Sequence, residues 1–465
     1  MFHHCSCLTA MKGNRTVLSL IDNIAFSVNC QQFECKSIKF NPIRKEAILE
    51  FHSQLKASEV ICPYCGKKVY IQDNSTIFLK DYPIFSGIKQ RIQVFLHRFQ
   101  CTECGKVFTE DPGLLKHKGT HITGRAAGNI RQLLRYNIPI SAISEITGIR
   151  WNTIAAIHKE YMQDILAERE EKLRKENYKP KHLAIDEFAV HKGHTYATCV
   201  MDLDEGDILW VGTGRSKTCF DKFFMEYDVS LLSDVEAIAM DMNASYNQLV
   251  EKYLPHAAIV YDRYHMQAQF GKDVLGSVRL EEAKQHQAKA KEYDILARET
   301  DDTGRRKQFR NKARQERHAY TKVKQSRWTL LTAEQNLKPL GKDKLDRILE
   351  DHEKLAVCYA MKEEMCTLFE LTNPILAREK WTDWFEGAKA SGIPQLVKFA
   401  ELKEKRIDGL AAHAAHPIST GKLEGFNNKI KVAKRTGYGY RNDDYFFTLI
   451  RYLSIPKDSL FHMFC

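Results

Sequence analysis

HLAIDEF, residues 182–188, is a short apolar run that carries two carboxylates, Asp186 and Glu187, near its end. Short apolar runs of this length, bounded by polar residues, predict a buried strand. The two acids allow two interpretations. Aspartate often closes a strand in a turn, whereas carboxylates at strand ends can also hold a metal ion, which requires partners from elsewhere in the chain.

Length and composition indicate a globular, basic protein. The 465 residues suffice for about three domains, and a hydrophobic content of 43% can form real cores. The formal net charge of +11 favours an acidic partner such as nucleic acid. Because every apolar run is too short for a membrane span, we expect a cytoplasmic protein with no membrane partner. Several of the 13 cysteines lie in apolar or helical patterns, which argues against a disulfide framework.

Two cysteine pairs form a metal-binding pattern. Cys62 and Cys65 lie in CPYC, and Cys101 and Cys104 lie in CTEC. The two-residue spacer lets both thiolates of a pair face one tetrahedral ion. The residues between the pairs have the pattern of a β-hairpin, which would return the second pair to the first as in a zinc ribbon. We therefore expect one structural Zn²⁺ in this region.

A second set of zinc ligands remains open on spacing alone. Cys101 and Cys104 with His117 and His121 match a two-Cys two-His finger. That arrangement leaves the CPYC pair unused, and the Pro-Gly pair ahead of the histidines is a poor start for the helix that must carry them. The four-cysteine set is favoured. His3, His4, Cys5 and Cys7 show no second half of a metal site, and residues 1–40 are interpreted as an extension without an assigned role.

Residues 121–178 have the pattern of a helix-turn-helix. ISAISEIT and WNTIAAIHKEYM carry apolar residues at helical spacing, and Gly148 separates them. We expect Ile146, Ile154 and Ile157 to pack the motif. Simple helix packing is the alternative, but the basic surroundings favour DNA binding. The side chains that would face a DNA groove are Arg150, Asn152, Thr153 and Lys159.

From Lys181 onward the pattern predicts a mixed sheet with helices on its faces. HLAIDEF, HTYATCVMDL and DILWVGTG predict three strands in hairpin succession, and two helix–strand units follow, with VEAIAMD and AAIVYD as their strands. Asp186, Asp241 and Asp262 are each expected to end a strand, where sites are commonly built. Carboxylates suit Mg²⁺, and two such ions can support phosphoryl transfer.

The last basic segment contains one further acid. Glu424 is surrounded by lysines and arginines between Gly421 and Arg441, where a helix N-terminal charge is the simplest interpretation. The GYGYR motif suits close backbone approach and stacking, so the segment is interpreted as a phosphate-contacting surface. Its candidate DNA contacts are Lys429, Lys431, Lys434 and Arg435.

Taken together, these motifs resemble those of bacterial insertion-sequence transposases of the ISL-three type. The similarity runs from about Phe40 to the C-terminus through the two cysteine pairs, AIDEF, AMDMNASY, VYDRYH and STGKLEGFNNKIKVAKRTGYGYRN. The resemblance implies Asp186, Asp241 and Glu424 as an Asp-Asp-Glu catalytic triad. It implies Asp262 and His265 as support for that site, and the four cysteines as an N-terminal zinc finger.

The resemblance also implies the cofactors, partners and domain organisation. Two catalytic Mg²⁺, one structural Zn²⁺, double-stranded DNA of the transposon ends and target, and a homo-oligomer on DNA at the nucleoid are expected. The fold class is multidomain α/β: a ribonuclease-H-like mixed sheet split by a helical insertion, preceded by a small zinc-ribbon-like domain and a helix-turn-helix. The boundaries are 1–40, 41–120, 121–178, 179–265 with 417–465 for the catalytic domain, and 266–416 for the insertion.

One stretch of the insertion, residues 303–328, contains ten Lys or Arg residues and a single acid, Glu316. Such a helix is either a solvated face or a clamp on DNA. Trp328 is expected to pack in the helical core rather than to stack on an exposed base.

The predicted function is that of a DDE transposase, which binds terminal inverted repeats and catalyses metal-dependent DNA cleavage and strand transfer. A catalytically silent DNA-binding regulator derived from a transposase is the main alternative, and the intact acids count against it. A nuclease on the same fold would use the same acids and cut without joining.

Overall fold

The chain divides into two compact units, residues 1–168 and residues 169–465. The structure is a computed structural model. Within the residues that it describes, every helix is too short or too polar to span a lipid bilayer. The HHCSC motif of the N-terminal segment lies outside those residues. The described residues are 32–83, 88–136, 138–191, 195–437 and 439–456.

The first unit contains a five-stranded sheet in the order β1-β2-β4-β3, with β5 paired to β4. Alternating burial along β4 places Ile92, Val94 and Leu96 in the core at the two-residue period of a strand. The predicted hairpin is present, because β3 pairs antiparallel with β4. The five strands are β1 Phe33–Asn41, β2 Glu46–Ser53, β3 Val69–Asp81, β4 Lys89–Cys101 and β5 Val107–Thr109.

The first strand corrects the expected boundary of the N-terminal extension. β1 pairs antiparallel with β2 from Phe33 opposite Ser53 to Asn41 opposite Glu46. Phe33 and Cys35 are buried in the sheet core. Residues from Phe33 onward therefore belong to this sheet and not to a separate segment that ends at residue 40.

Three helices follow this sheet along the chain: α1 Gly124–Arg135, α2 Ile140–Thr147 and α3 Trp151–Lys175, the last of which continues past the end of the first unit at Glu168. Gly148 ends α2 with a φ of 66°, a left-handed conformation that glycine adopts without strain. Ile143, Ile154 and Ile157 are buried where the helices pack together. Ile146 was expected in this core and is instead 57% exposed, because the short α2 turns Ile143 and Thr147 inward.

A buried carboxylate joins these helices to the sheet. Asp81, at the end of β3, accepts hydrogen bonds from Gln90 Nε2 at 2.6 Å and from Arg125 Nη2 at 2.6 Å. It also accepts a hydrogen bond from the hydroxyl of Thr123, which caps α1. Hydrogen bonds to a charged acceptor are among the stronger ones in proteins, so this contact fixes the start of α1 against the sheet.

The second unit contains a second five-stranded sheet, and the predicted mixed α/β architecture is confirmed. The strand order is β10-β9-β6-β7-β8. β6, β7 and β8 are antiparallel neighbours, whereas β9 and β10 run parallel to β6. The strands are β6 His182–His191, β7 Thr195–Asp202, β8 Ile208–Thr213, β9 Ala237–Met240 and β10 Ala258–Tyr261.

Two helices connect the parallel part of this sheet, α4 Lys217–Glu226 and α5 Ala244–Tyr253. Both pack on one face, where Phe220, Phe223 and Tyr246 join the sheet residues in a common core. The parallel neighbours β9 and β10 are joined through α5, because a tight turn would make two consecutive strands antiparallel.

A long helical insertion follows β10 and has its own core. Trp381 and Trp384 are 0% and 1% exposed there and pack with Phe385 and Phe399. A π-helical turn joins its first two helices. In the part of the insertion that the structure describes there are nine α-helices: α6 Arg263–Phe270, α7 Gly276–Glu299, α8 Thr303–Gln325, α9 Arg327–Leu331, α10 Pro339–Asp351, α11 Glu353–Leu368, α12 Pro374–Ala390, α13 Pro394–Glu404 and α14 Ile407–Ala411.

Trp328 lies in this insertion, and its expected burial is wrong. The side chain is 72% exposed, with the guanidinium of Arg327 5.3 Å from its ring centroid. It follows the basic helix α8, which buries only Ala313 and Val323. A helix with so little apolar surface gives Trp328 little core in which to pack.

After the insertion the chain returns to the sheet through α15 Gly421–Thr436 and α16 Asp443–Ser454. The side chain of Asn427 in α15 bonds to Asp186 of β6. The hydroxyl of Ser454 in α16 accepts a hydrogen bond from the backbone N–H of Ile208 at 2.8 Å. The last two helices therefore pack against the second sheet, α15 through β6 and α16 through β8.

The two tryptophans of the insertion provide a stability test. Trp381→Ala should lower the free energy of unfolding by about 3–5 kcal/mol, because it empties a fully buried site. Trp328→Ala should change that free energy by less than about 0.5 kcal/mol, because the side chain is exposed. Urea unfolding followed by circular dichroism measures both. Equal losses in the two variants would contradict the assignment of the core.

Candidate active site

Asp186 and Asp241 lie at the same edge of the second sheet. Asp241 directly follows β9, as predicted, but Asp186 lies within β6, which continues to His191. The pairing of β6 with β9 ends at Ala184 opposite Ala239. Asp186 therefore lies just past the end of the parallel pairing, which explains why a residue inside a strand shares an edge with Asp241.

The carboxylate of Asp186 is half-buried and held from two sides. Asn427 Nδ2 of α15 donates to Oδ2 at 2.8 Å, and the backbone N–H of Glu187 donates to Oδ1 at 2.7 Å. Burial raises the pKa of Asp186, and the negative charge of Glu424 raises it further. The two hydrogen bonds and the nearby His265 act in the opposite direction. Any neighbouring cation would favour the ionised form.

Glu187 points to the opposite side of the sheet, because successive side chains of a strand alternate. Its Oε1 accepts a hydrogen bond from the hydroxyl of Tyr246 in α5 at 3.0 Å. Burial raises the pKa of Glu187. The two acids of HLAIDEF thus have separate surroundings, and Asp186 is the one that faces α15.

His265 lies between Asp241 and Glu424. Its Nδ1 is 3.9 Å from Asp241 Oδ2, and its Nε2 is 3.7 Å from Glu424 Oε1. Glu424 is in the first turn of α15, where the hydroxyl of Thr420 donates to it at 3.3 Å. One imidazole ring therefore spans the gap between two acids that are far apart in sequence.

Asp262 is the deeply buried member of this group, with 2% exposure. As the N-cap of α6, its Oδ1 accepts from the backbone N–H of His265 at 3.1 Å. Its Oδ2 accepts from the backbone N–H of Thr420 at 2.9 Å. Ligand atoms of Asp262, His265 and Glu424 lie within 4.8 Å of one another. We call Asp186, Asp241, Asp262, His265 and Glu424 the acid cluster.

Lys403 lies beside the acid cluster and was not identified from the sequence. It belongs to α13 of the insertion and is 8% exposed. Its Nζ is 3.2 Å from Met242 Sδ and also bonds to Gln269 Oε1. Burial lowers the pKa of Lys403, while the charge of Asp241 raises it. No sequence pattern separates this lysine from the solvated lysines of an amphipathic helix.

The predicted DNA-contacting cations of α15 differ in their surroundings. Lys429 Nζ donates to the backbone oxygen of Leu453 at 2.6 Å, and Lys434 Nζ donates to that of Ala189 at 2.8 Å. Lys431 is exposed and bonds to its neighbour Asn428 at 3.2 Å, and Arg435 is also exposed. The ammonium groups of Lys429 and Lys434 thus also attach α15 to the rest of its unit.

The structure brings the four predicted cysteines together in the first unit. Ligand atoms of Cys62, Cys65, Cys101 and Cys104 lie within 4.8 Å of one another. The Sγ atoms of Cys62 and Cys104 are 3.6 Å apart, and those of Cys65 and Cys101 are 3.4 Å apart. The backbone N–H groups of Cys104 and Glu103 donate to the sulfur of Cys101, and these bonds, together with the neighbouring thiols, lower the pKa of Cys101 to about 6. This geometry suits thiolates that face one ion.

The two histidines of the alternative finger do not join this group. His117 Nε2 lies 3.0 Å from Glu160 Oε2. The segment ahead of it forms only a short 3-10 turn, Gly113–Leu115, and continues in an extended conformation at Lys116. The helix that a two-Cys two-His finger needs is therefore not formed here.

Of the four predicted DNA-reading residues, Arg150 directly precedes α3, Asn152 and Thr153 lie in its first turn, and Lys159 lies two turns further along. Arg150 and Asn152 are exposed, whereas Thr153 and Lys159 are half-buried. Trp151 is 53% exposed in the same turn, although a tryptophan at a helix start could equally have packed inward. The exposed polar surface at the beginning of this helix is thus narrower than predicted.

Comparisons with known proteins agree with this architecture. A family model described as "Transposase", the ISL3 transposase family, matches residues 183–450, which is more than half of the chain. Over 408 residues, the chain is 31% identical to the transposase for insertion sequence element IS1001 of Bordetella parapertussis, covering 87% of this chain and 91% of that one. It is also 24% identical over 396 residues to the transposase for insertion sequence element IS1557 of Mycobacterium tuberculosis, covering 82% of each.

These matches define the chain as an insertion-sequence transposase in the broad sense. More narrowly, the chain belongs to the ISL3 transposase family, and the resemblance to the ISL-three type is confirmed.

The buried carboxylate of Asp262 gives the site its own stability test. Asp262→Ala leaves two buried backbone N–H groups without an acceptor, and each hydrogen bond to a charged group contributes about 1.5–3 kcal/mol. The variant should lose about 3 kcal/mol or more of unfolding free energy. Hydrogen exchange should become faster at the amides of His265 and Thr420. Asp241→Ala is the control, and because its side chain is 53% exposed it should cost less than about 1 kcal/mol. Unchanged exchange at Thr420 would show that the contact is not needed there.

Proposed function

We propose that this chain is a DDE transposase that cleaves DNA at the ends of its insertion sequence and joins those ends to target DNA. The acid cluster carries this proposal: side chains of Asp241 and Glu424 converge on one imidazole, at the sheet edge where Asp186 is held by α15. The strand order β10-β9-β6-β7-β8, with three antiparallel strands and two parallel ones, supports a ribonuclease-H-like catalytic domain. We assign it residues 179–265 and 417–465, split by the insertion.

The donor set fits divalent cations of the magnesium type. Asp186, Asp241 and Glu424 offer carboxylate oxygens, the ligands that such hard ions prefer. Burial first, and then the charge of Glu424, raise the pKa of Asp186, so a bound divalent cation would favour its ionised form. When bound, two Mg²⁺ ions would supply activation of the attacking oxygen and neutralisation of charge on the leaving oxygen.

The protein groups around the acids would orient them for this reaction. Asn427 holds one oxygen of Asp186, and Thr420 donates to Glu424. Both oxygens of Asp262 are occupied by backbone N–H groups, so we assign Asp262 a positioning role and not that of a principal metal ligand. Lys403 adds a buried positive charge beside Asp241, which would favour a bound phosphate.

The proposed reaction has two steps at phosphorus. In the first, water attacks a phosphodiester at the transposon end, and the bond to the 3′ oxygen breaks, which leaves a 3′ hydroxyl and a 5′ phosphate. In the second, that 3′ oxygen attacks a target phosphodiester and displaces a target 3′ oxygen. The number of phosphodiester bonds is conserved in the second step, so no external energy source is required. Positioning and charge neutralisation supply the catalysis.

DNA binding is assigned to basic surfaces in both units. Arg150 and Asn152 at the start of α3 suit a helix-turn-helix that reads terminal repeats. Lys431 and Arg435 on α15, with the basic helix α8, suit contacts to phosphates. Trp328 in α9, which follows α8, is exposed and suits stacking on an unpaired base. The proposed place of action is the bacterial nucleoid, and the proposed active form is a homo-oligomer on DNA.

One structural Zn²⁺ is proposed for the first unit. Four sulfur ligands in two C-x2-C pairs are the donor set of closed tetrahedral zinc sites. The short distances between the sulfur atoms leave them facing a common point. Such an ion would fix the ends of the β3–β4 hairpin to the residues that precede it.

The acids provide the decisive test of the catalytic proposal. Glu424→Gln and Asp186→Asn should retain binding to DNA that carries the element's terminal repeats. Each should lose cleavage by at least about 100-fold, because a bound metal contributes several kcal/mol of transition-state stabilisation. Glu187→Gln is the matched control, since Glu187 faces Tyr246 on the other side of the sheet, and it should cleave at the wild-type rate. The assay incubates full-length protein with end DNA, a target plasmid and Mg²⁺.

Each outcome of this assay separates the candidate functions. A Glu424→Gln variant that cuts at the wild-type rate would contradict the assignment of the third acid. Wild-type protein that binds the ends without cutting them would favour the catalytically silent regulator. Cutting without joining would favour the nuclease.

Zinc content tests the cysteine site. Cys62→Ser should lose one zinc per chain, because the buried Cys62 is one of four clustered sulfurs. His117→Ala should keep that zinc, because His117 pairs with Glu160. Plasma mass spectrometry of purified full-length variants gives both values. Zinc loss in His117→Ala together with zinc retention in Cys62→Ser would restore the two-Cys two-His finger.

A further inference from the structure

A second group of metal-binding side chains lies away from the acid cluster. Ligand atoms of His182, Glu236 and His416 come within 4.8 Å of one another. His182 begins β6 and pairs with Ala237, the first residue of β9, and Glu236 directly precedes that strand. The group therefore lies at the amino ends of two parallel strands, whereas the acid cluster lies at their carboxyl ends. We call it the His-Glu site.

His182 is already oriented as a metal ligand. Its Nδ1 is 2.8 Å from Asp204 Oδ1, and Asp204 Oδ2 accepts from the backbone N–H groups of Lys181 at 2.9 Å and His182 at 3.0 Å. Asp204 thereby fixes the imidazole ring and leaves Nε2 for another partner. A carboxylate that holds the second nitrogen of a histidine is the usual outer-shell arrangement at zinc sites.

His416 reaches the same place from a distant part of the chain. Its ring centroid is 6.4 Å from that of His182, with the ring planes inclined by 58°. The two rings are therefore not stacked on each other. Both are half-buried, as expected for ligands of an ion at a shallow surface site.

Glu236 supplies the negative charge of the group. Lys181 Nζ lies 3.1 Å from Glu236 Oε1, and Lys181 lowers the pKa of Glu236, with smaller contributions from His182 and His416. The side chain of Lys181 is 62% exposed and has room to turn away into solvent. A bound divalent ion would then take the place of the Lys181 ammonium next to the Glu236 carboxylate.

We propose that His182, Glu236 and His416 bind a divalent transition-metal ion, Zn²⁺ in the first instance. Two imidazoles and one carboxylate suit zinc better than Mg²⁺, which prefers oxygen ligands alone. Solvent would complete the coordination. The proposal does not depend on the transposase activity, because none of these residues belongs to the acid cluster.

Because of the position of His416, an ion bound here would also attach two parts of the chain to each other. His416 lies on the return segment between the helical insertion and α15, shortly before Thr420. An ion at the His-Glu site would fasten that segment to the amino ends of β6 and β9. The return segment would then be attached at two points, by the ion and by the bond from Thr420 to Asp262.

Counting bound zinc tests the proposal. Full-length protein is dialysed against Zn²⁺ and bound zinc is measured by plasma mass spectrometry. The double variant His182→Ala with His416→Ala should bind one zinc fewer per chain than wild type. His256→Ala, which removes an exposed histidine of the same unit, should bind as much as wild type. Equal zinc content in the double variant and wild type would overturn the proposal, whatever the cysteine cluster binds.

A second measurement on wild-type protein does not require any variant to fold. Diethyl pyrocarbonate modifies accessible imidazoles, and mass spectrometry locates the modified residues. Zn²⁺ should abolish modification of His182 and His416 and leave that of His256 unchanged, whereas Mg²⁺ should protect none of them. Unchanged modification of His182 and His416 in the presence of Zn²⁺ would overturn the proposal.

Discussion

The hydrogen bonds that the Asp262 carboxylate accepts from the backbone N–H groups of His265 and Thr420 hold the two ends of the helical insertion together in the second unit. One bond sets the start of α6, so that the ring of His265 faces Asp241. The other fixes the residue just ahead of α15, so that Glu424 faces the same ring. A carboxylate with 2% exposure is costly to bury unless both oxygens are satisfied. Both oxygens of Asp262 are satisfied here, and the same two bonds position His265 and the start of the helix that carries Glu424.

This closure concentrates negative charge at one edge of the sheet. Asp186 is half-buried, and its burial and the charge of Glu424 raise its pKa, so both work against its ionisation. His265 and Lys403 are cationic or potentially cationic groups that the fold places beside these acids. Their charge offsets the repulsion only in part, because Lys403 is itself buried and its pKa is lowered by that burial. Such a group of acids gains most from a bound divalent cation, and the family implies one.

Local patterns in the sequence predict the sheet and its helices well, because burial on one face imposes a visible period on the chain. The hairpin that brings Val69 opposite Cys101 and the mixed sheet around HLAIDEF were both predicted in this way. Sequence patterns fail to predict the burial or the contacts of a side chain where these depend on residues far away in the sequence. Ile146 and Trp328 are apolar but exposed, since their short or basic helices offer them no core. The meeting of His416 with His182 follows from the path of the returning chain, which no local pattern encodes.

The path of the chain shows why so long a helical insertion after β10 is tolerated. The backbone N–H of Thr420 bonds to Asp262, so the chain leaves the sheet after β10 and re-enters it at nearly the same point. An inserted segment whose ends already lie together adds little closure entropy, since that cost grows only slowly with length. The insertion has a large core around Trp381 and Trp384, and Tyr261 at the end of β10 belongs to that core, so the insertion packs against the strand from which it leaves. Lys403 reaches from it to Met242, beside Asp241. The insertion therefore packs against β10 and also contributes a charged group, the ammonium of Lys403, beside Asp241 at the edge of the acid cluster.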